Sequence, residues 1–539
     1  MTSLRPSEIA KMISVAKGTA RLVVALLVVV GGGMIGHGRC FAQDDAARYL
    51  QMAKAYADGM IQLGRDRYGD QHSPVFVSTL DLRTMKMPSS TSEPTRKMYS
   101  SFFRAEDYST SANPMYHIDL YQLLEALTVL TDDPQYRNAA RESIGWFFKN
   151  TQSPATGLMA WGEHLAWDLI EDKVTVGNMR DGQLQVSDIH EFYGPWLHWK
   201  TTCEVAPDAA RRFAVGLWEH QIYDHRTCDY SRHARYSKHG PGRGYEFARQ
   251  AGFYLDTWAS VYRSTKDPEL LIAVEKFLDA WQRRQNPDTG LLPFEGRSPD
   301  VVFVLHNLAF TVDGWEAAKK LPEPLASRLK TFIRSVDDAI LKLKTDLSPG
   351  GKGFPKIADA HTGEVTNRAM AKARPGYSME FINQRYSPYG GLWASVYGAG
   401  SYTDARHALL CYYRYRQIQR DEYQTLVLAT AGRYVGSQPK PLAGTLTPKT
   451  LAPVMALLHA AWRLSRDDKY IVASRRLAEH ARERLFEPGV AFPFASDRRD
   501  DYPYYASISY GDSLMLMFLE LALILQDRED AVAVQCSIR

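Results

Sequence analysis

Leu120–Met159, LYQLLEALTVLTDDPQYRNAARESIGWFFKNTQSPATGLM, and Tyr254–Pro293, YLDTWASVYRSTKDPELLIAVEKFLDAWQRRQNPDTGLLP, are one pattern written twice. Each reads as a helix, a polar turn ending in Asp-Pro, a second helix and a glycine turn. Pro134 and Pro268 occupy the same slot, where proline suits the first turn of a helix. A third copy, LLHAAWRLSRDDKYIVASRRLAEHARERLF, begins at Leu457, and its Tyr470 answers Tyr136. The first two copies start 134 residues apart, at Leu120 and Tyr254. A unit of roughly 67 residues fits that offset twice and the next one three times, so Asp44 to the end holds about seven units. Weaker helical patterns fill the gaps, around His190–Cys203, Ala209–Tyr223, Val301–Leu321, Leu325–Leu343, Leu392–Gln417 and Ile508–Leu525. Their apolar residues recur at three- and four-residue spacing, and no run of alternating strands stands out.

Helical hairpins repeated in this way stack as an open solenoid or close on themselves. Long polar loops at Met85–Tyr108, Thr175–Asp188, Asp224–Gly244 and Phe354–Gly390 favour closure, with the loops building a cleft at one end. The expected fold is all-α, an (α/α) toroid of seven helical hairpins, with six as the alternative. It forms a single catalytic domain over residues 43–539.

Residues 1–42 read as a signal peptide. Arg5, Lys11, Lys17 and Arg21 precede the apolar stretch LVVALLVVVGGGMIG, and Ala42 ends the segment. Export to the periplasm or beyond the cell is expected, with no membrane anchor after cleavage. Of 65 basic and 61 acidic residues, the leader holds Arg5, Lys11, Lys17, Arg21 and Arg39 against Glu8, leaving 60 of each. A neutral mature chain argues against nucleic acid as the partner. Cys203, Cys228, Cys411 and Cys536 form no CxxC pair. His220 and His225 with Glu219 and Asp224 match no zinc spacing, and no metal or other cofactor is expected.

The stretch Glu219–Tyr254 is crowded with histidine, arginine and tyrosine. That set suits elimination from a uronic acid polymer. The substrate carboxylate is neutralised, a base takes the C5 proton, and an acid protonates the leaving oxygen. In GYEFARQAGFYLDTW, Arg249 stands five residues before Tyr254, and a cation there would make the phenol more acidic and fit to take the proton. In SDIHEFYGPWLHWK, Glu191 and His198 are seven apart, which on a helix places both on one face toward a carboxylate. His190 joins the substrate-binding candidates. So do Arg232, His233, His239, Arg243 and Tyr245 of the basic loop, since the arginine fork matches a carboxylate. His117 with Asp119, the trio Glu163, His164 and Asp168, and Asn383, Arg385, Tyr386 and Tyr389 stand at predicted helix ends and suit sugar subsites.

At GRGYEFARQAGFYLDTW and IHEFYGPWLHW the chain resembles the polysaccharide lyases of family thirty-eight. The resemblance implies an (α/α)7 barrel acting on a β-1,4-linked uronan, alginate or glucuronan, by metal-free syn elimination. It implies Tyr254 as base and acid, with Glu191, His198 and Arg249, or Arg243 in its place, neutralising the carboxylate. The expected protein is thus an exported, monomeric, endo-acting uronan lyase. The rival readings are an inverting glycoside hydrolase using acids such as Glu163, Asp168 or Glu246, a glycan-binding protein without turnover, and a sugar epimerase of similar architecture.

Overall fold

The computed structural model describes residues 43–88, 97, 109–175, 178–180, 183–185, 188–240, 244–393, 402–440 and 445–538. The leader expected at residues 1–42, the candidate Arg243, and parts of the loops 85–108 and 175–188 lie outside these residues.

The repeated motif folds the same way each time because its turn is chemically the same. Asp132, Lys266 and Arg466 each end a helix in the left-handed region, at φ 60°, 60° and 55°. Before them, the hydroxyls of Thr131, Thr265 and Ser465 donate to the carbonyls of Leu127, Val261 and Ala461. Those hydroxyls then accept the N–H groups of Asp133, Asp267 and Asp467. The three aspartates in turn accept the N–H of Gln135, Glu269 and Lys469, at 2.9, 3.0 and 3.1 Å. A left-handed C-cap followed directly by an aspartate that accepts from the next helix's first turn reverses the chain within a few residues; Asp133 and Asp267 are true N-caps, each worth about 1 kcal/mol.

The helices are α1 (43–62), α2 (Ile118–Thr131), α3 (Pro134–Asn150), α4 (Trp199–Val205), α5 (Pro207–Gly216), α6 (Ala248–Thr265), α7 (Pro268–Arg284), α8 (Val304–Ala318), α9 (Leu325–Leu341), α10 (Arg368–Ala373), α11 (Met379–Arg385), α12 (Asp404–Ile418), α13 (Asp421–Val435), α14 (Pro448–Ser465), α15 (Lys469–Leu485) and α16 (Gly511–Leu525). Two kinds alternate. In α8 every residue but Glu316 is buried, whereas its neighbour α9 buries one stripe, including Leu329, Phe332, Ile333 and Val336. A helix apolar all round belongs inside, and a striped one belongs on the outer layer. Among the described residues seven helices form the inner layer: α2, α4, α6, α8, α12, α14 and α16. From α4 onward each packs on the next, and α16 returns to α2. The α2–α4 step is made by His198 Nε2, which donates to the Ile118 carbonyl at 2.8 Å. The fold is an (α/α) toroid.

The seam where the ring closes is held by a buried polar network. Asp512, at the start of α16, accepts from Tyr56 of α1, from Tyr505 at 2.6 Å, and from Nδ1 of His117, just ahead of α2, at 2.9 Å. The other nitrogen of His117 meets the Val77 carbonyl at 3.2 Å.

Beyond the helices, two- and three-residue strands pair into small ribbons. Strands this short carry too little alternation to show in the sequence. One ribbon, Ile189–Glu191 with His233–Arg235, sets up the candidate site. None of the described helices is long and apolar enough to cross a membrane.

Candidate active site

In the antiparallel ribbon Glu191 stands directly opposite His233, and His190 opposite Ala234. Directly opposed residues place their side chains on the same face of the pair, within about 5 Å at Cβ. The strand is pinned from behind by His190, which is fully buried. Trp161 Nε1 donates to His190 Nε2 at 3.1 Å, and His190 Nδ1 donates to Gln221 at 3.0 Å. Both ring nitrogens are occupied, and burial holds the ring's pKa down at about 4. His190 is therefore a buried support for Glu191, which corrects its expected place among the substrate-binding groups.

A third chain segment closes on the ribbon. Gly162 has φ +108°, and a Cβ there would come within 2.3 Å of the Glu191 carbonyl oxygen. Only glycine allows the backbone this close. The close approach delivers Glu163 and His164 to the cluster. Nε2 of His164 lies 3.1 Å from Nε2 of His233, and each is 3.7 Å from Glu191 Oε2. The Arg232 guanidinium is bonded to the other oxygen, Oε1, and its Nη1 is 3.6 Å from Glu163. Burial opposes ionisation of Glu191, but Arg232 and the two imidazoles outweigh it and hold the carboxyl well below the usual carboxylate range. Burial likewise opposes the Arg232 charge, and Glu191, Glu163 and Glu246 overcome it, leaving the guanidinium firmly protonated.

His164, Glu191 and His233 form a group able to hold a metal ion. Ligand atoms on one cation with bonds of about 2.1 Å lie roughly 3.0–3.4 Å apart in octahedral or tetrahedral geometry. The observed 3.1 and 3.7 Å separations come close to that before any ion draws them in. Glu191 Oε2, the oxygen between the imidazoles, has no hydrogen-bond partner. Two imidazoles and one carboxylate suit a divalent transition metal or zinc better than calcium. Glu191 side-chain exposure is 0%, but that of Arg232, His164 and His233 is 24, 26 and 33%, so the cluster opens to solvent on one side.

The helix that follows begins under strain. Phe247, the residue before α6, has φ +32°. For a bulky side chain this costs about 1–3 kcal/mol and marks a position held by its surroundings. Its ring stacks on Phe294 at 4.6 Å and carries Arg232 on one side at 5.3 Å and Arg249 at 5.7 Å.

The structure moves several sequence expectations. Glu191 lies in a strand, so the shared helical face with His198 does not exist. His198 precedes α4 and lines a separate cavity of about 1060 Å³ with Trp196, Asp256, Glu316 and Gln535. His117 has both nitrogens engaged in the ring seam and is buried, so it is not on a sugar-binding surface. Tyr254 is fully buried among Phe192, Tyr230, Trp258 and Phe277, and its hydroxyl has no partner. Burial, then Glu246 and Glu191, push its phenol well above the ordinary range, and Arg232 and Arg249 offset this only in part. The expected acidification by Arg249 is therefore reversed, because losing water outweighs a nearby cation. Tyr245 is also pushed up, to about 12, chiefly by burial, and lies under Arg284 at 4.4 Å. His239 stays on the surface, bonded to the Glu219 carbonyl. Arg385 and Tyr386 lie at the end of α11, with Tyr386 edge-on to Phe303. His225 is stacked on Trp218 at 4.2 Å, so the histidines that gather are not the pair weighed for zinc.

Residues 97–272 match the family model described as periplasmic pectate lyase. His164, Glu191, Arg232 and His233 all fall inside that stretch. The chain is also 26% identical over 117 residues to a pectate disaccharide-lyase of Dickeya dadantii (strain 3937), a match covering 22% of this chain and a fifth (20%) of that protein. The match supports a polysaccharide lyase without pointing to family thirty-eight in particular. Solved structures with a similar course include an α-mannanase of Bacteroides thetaiotaomicron, at 8% identity and TM-score 0.43 over 89% of this chain and 96% of that one. A D-mannose isomerase gives 10% identity and TM-score 0.45 over 87% and 97%.

Proposed function

We propose that this protein is an exported polysaccharide lyase that cleaves a pectate-like polyuronate by β-elimination, assisted by a divalent cation held by His164, Glu191 and His233. The observation that carries the reading is that cluster, with Arg232 on the far oxygen of Glu191, inside the segment that matches the periplasmic pectate lyase model. A bound cation would take the carboxylate of the reacting uronate and spread the negative charge that builds as C5 loses its proton.

Glu191 is already ionised, and the histidines present Nε2 toward it, so the three ligands need little rearrangement. Arg232 is the proposed proton acceptor in its neutral form, its own proton passing first to Glu163 or solvent, and the proton it takes from C5 is then available to the leaving oxygen. Its charge is upheld by Glu191, Glu163 and Glu246 against burial. A cation held by Glu191 would share that charge, withdraw part of this support and add positive charge near the guanidinium, and both changes would lower its proton affinity. Glu163, 3.6 Å from Arg232, is placed to orient it and to pass the proton on. Tyr254, fully buried and stacked on Phe192, is given no part in this proposal.

The test is the ultraviolet absorbance of the unsaturated product when mature protein meets polygalacturonate, alginate or glucuronan. Activity on polygalacturonate, lost on chelation and restored by manganese, cobalt, nickel or zinc, is the expected result. Full activity after exhaustive chelation overturns the role of the cation. New reducing ends without absorbance overturn elimination in favour of hydrolysis.

A further inference from the structure

Three cations outside the metal-binding cluster are gathered at one end of the ring. Arg249, Arg406 and Lys449 are the second, third and second residues of α6, α12 and α14. Each begins an inner helix, where the helix dipole disfavours positive charge. Each lies over a tyrosine: Arg249 on Tyr193 at 5.8 Å, Arg406 on Tyr402 at 5.6 Å, and Lys449 on Tyr510 at 4.7 Å. All three tyrosines are partly exposed to solvent. The group is continuous. Tyr116 touches both Tyr193 and Tyr510, with centroids 6.0 and 6.3 Å apart. Phe247 links Arg249 to His306 at 5.1 Å, and His306 Nε2 meets the Tyr402 hydroxyl at 3.1 Å. On its other side Phe247 touches Arg232, so this basic surface adjoins the metal-binding cluster.

The cations feel one another. Burial, then Arg406, lower the Lys449 pKa to about 7, with Glu163 opposing and Arg249 adding. Burial also lowers Arg406, and Arg249 adds to it. Like charges collected at helix N-termini are costly for folding alone, and an incoming anion relieves both the repulsion and the dipole conflict.

We propose that Arg249, Arg406 and Lys449 form a second anion subsite, which takes the carboxylate of a uronate sugar next to the one that reacts. The proposal rests on the lyase reading of the adjoining cluster. It makes two free carboxylates in the same chain a condition for tight binding, so a polymer esterified at the second sugar is a poor ligand. The phenol and phenyl rings supply the sugar-stacking walls, and the cations supply the charge recognition.

The test uses saturated trigalacturonate and its methyl ester as probes, by calorimetry on the chelated full chain, so that no turnover occurs. Wild type is expected to bind the acid at least about tenfold more tightly than the ester, and Lys449→Met and Arg406→Met each to weaken the acid by about tenfold with the ester unchanged. Lys449→Arg is expected to restore binding. Lys449 is partly exposed, so its variant keeps the test open if Arg406→Met fails to fold. Equal affinity of wild type and Lys449→Met for the acid overturns the subsite, even in an active lyase. Charge-dependent binding lost in both variants, in a protein with no lyase activity, upholds the subsite and overturns the lyase reading instead.

Discussion

Glu191→Gln separates the charge of the cluster from its shape. The amide keeps the size of the side chain and can still accept one hydrogen bond from Arg232. It loses the only anionic ligand among the three, and it faces an N–H₂ group toward Nε2 of His164 and His233, the two atoms now 3.7 Å from Oε2. Without a cation, the change replaces a buried ion pair with a hydrogen bond from the Arg232 guanidinium to a neutral amide, while Glu163 still supports Arg232 from 3.6 Å. Severing a buried pair outright costs about 3–5 kcal/mol, so a loss of roughly 2–3 kcal/mol is expected here. The effect on the cation is larger in kind. Removing a group that merely orients a ligand weakens metal binding about 10–100-fold, so losing the anionic ligand itself is expected to cost at least about 100-fold. At a cation concentration of about 100 times the wild-type dissociation constant, binding stabilises the fold by about 2.7 kcal/mol, against about 0.4 for the variant. At roughly 2 cal/mol/K per residue over about 500 residues, unfolding entropy is near 1 kcal/mol/K. The wild-type melting temperature is therefore expected to rise by roughly 2–3 °C with manganese, cobalt or zinc, and that of Glu191→Gln by less than about 1 °C. Differential scanning fluorimetry with a metal titration reads both shifts. An identical cation-dependent shift in the variant, or none in wild type, refutes the site.

Four further outcomes follow from the same geometry. Arg232→Lys is expected to lower kcat by at least about 100-fold while the metal-dependent melting shift stays, whereas Glu163→Gln lowers it less; a near-normal kcat in Arg232→Lys removes it as the proton acceptor. Tyr254→Phe, which deletes a buried hydroxyl without a partner, is expected to leave stability equal or up to about 1 kcal/mol higher and turnover within a few-fold of wild type; an inactive, folded variant restores the tyrosine to the mechanism. Asp512→Ala strips Tyr56, Tyr505 and His117 of their common acceptor at the ring seam and is expected to cost about 3–5 kcal/mol in a urea titration, with a loss under about 1 kcal/mol ruling out a structural seam. Burial holds the pKa of His198 at about 4 and of His407 at about 3. Both bind a proton more readily when unfolded, so their contribution is complete above about pH 6.5 and falls by roughly 1.4 kcal/mol per ring for each pH unit below it. Stability flat from pH 7 to 5 contradicts that reading.

The helices were legible because the ring writes its periodicity into the chain. Each inner helix needs apolar residues nearly all round, each outer helix needs one stripe, and the turn between them needs a hydroxyl and an aspartate in fixed order. Those demands recur in Thr131–Asp133, Thr265–Asp267 and Ser465–Asp467, and the offsets between copies follow from two and then three units of the ring. Pairwise side-chain placement was legible only where a helix carried it. The seven-residue interval from Glu191 to His198 contains Gly194 and Pro195, and a proline there forbids the helix that would have aligned the two. That breaker was visible, and it is the signal that could have placed Glu191 in a strand.

The cluster of His164, Glu191 and His233 was hidden for a different reason. His164 and His233 are 69 residues apart, and Glu191 and Arg232 are 41 apart. Their meeting depends on a two-stranded ribbon and on one glycine, not on any spacing a ligand motif would show. Short strands leave no alternation to read, and Gly162 matters only through the backbone it lets pass. His220 and His225 are neighbours in the chain and so stand out in the sequence, from which no metal is expected, while the fold turns His225 onto Trp218. The same division explains why Tyr254 is buried with its phenol pushed up rather than made more acidic. A phenol on an inner helix of such a ring faces a core that excludes water, and that pushes its proton affinity up regardless of a cation five residues away. The groups proposed here to touch a charged sugar, Arg232, Arg249, Arg406 and Lys449, instead stand on the loops and first helical turns. On that proposal the interior supplies rigidity, and the chemistry is carried at the rim.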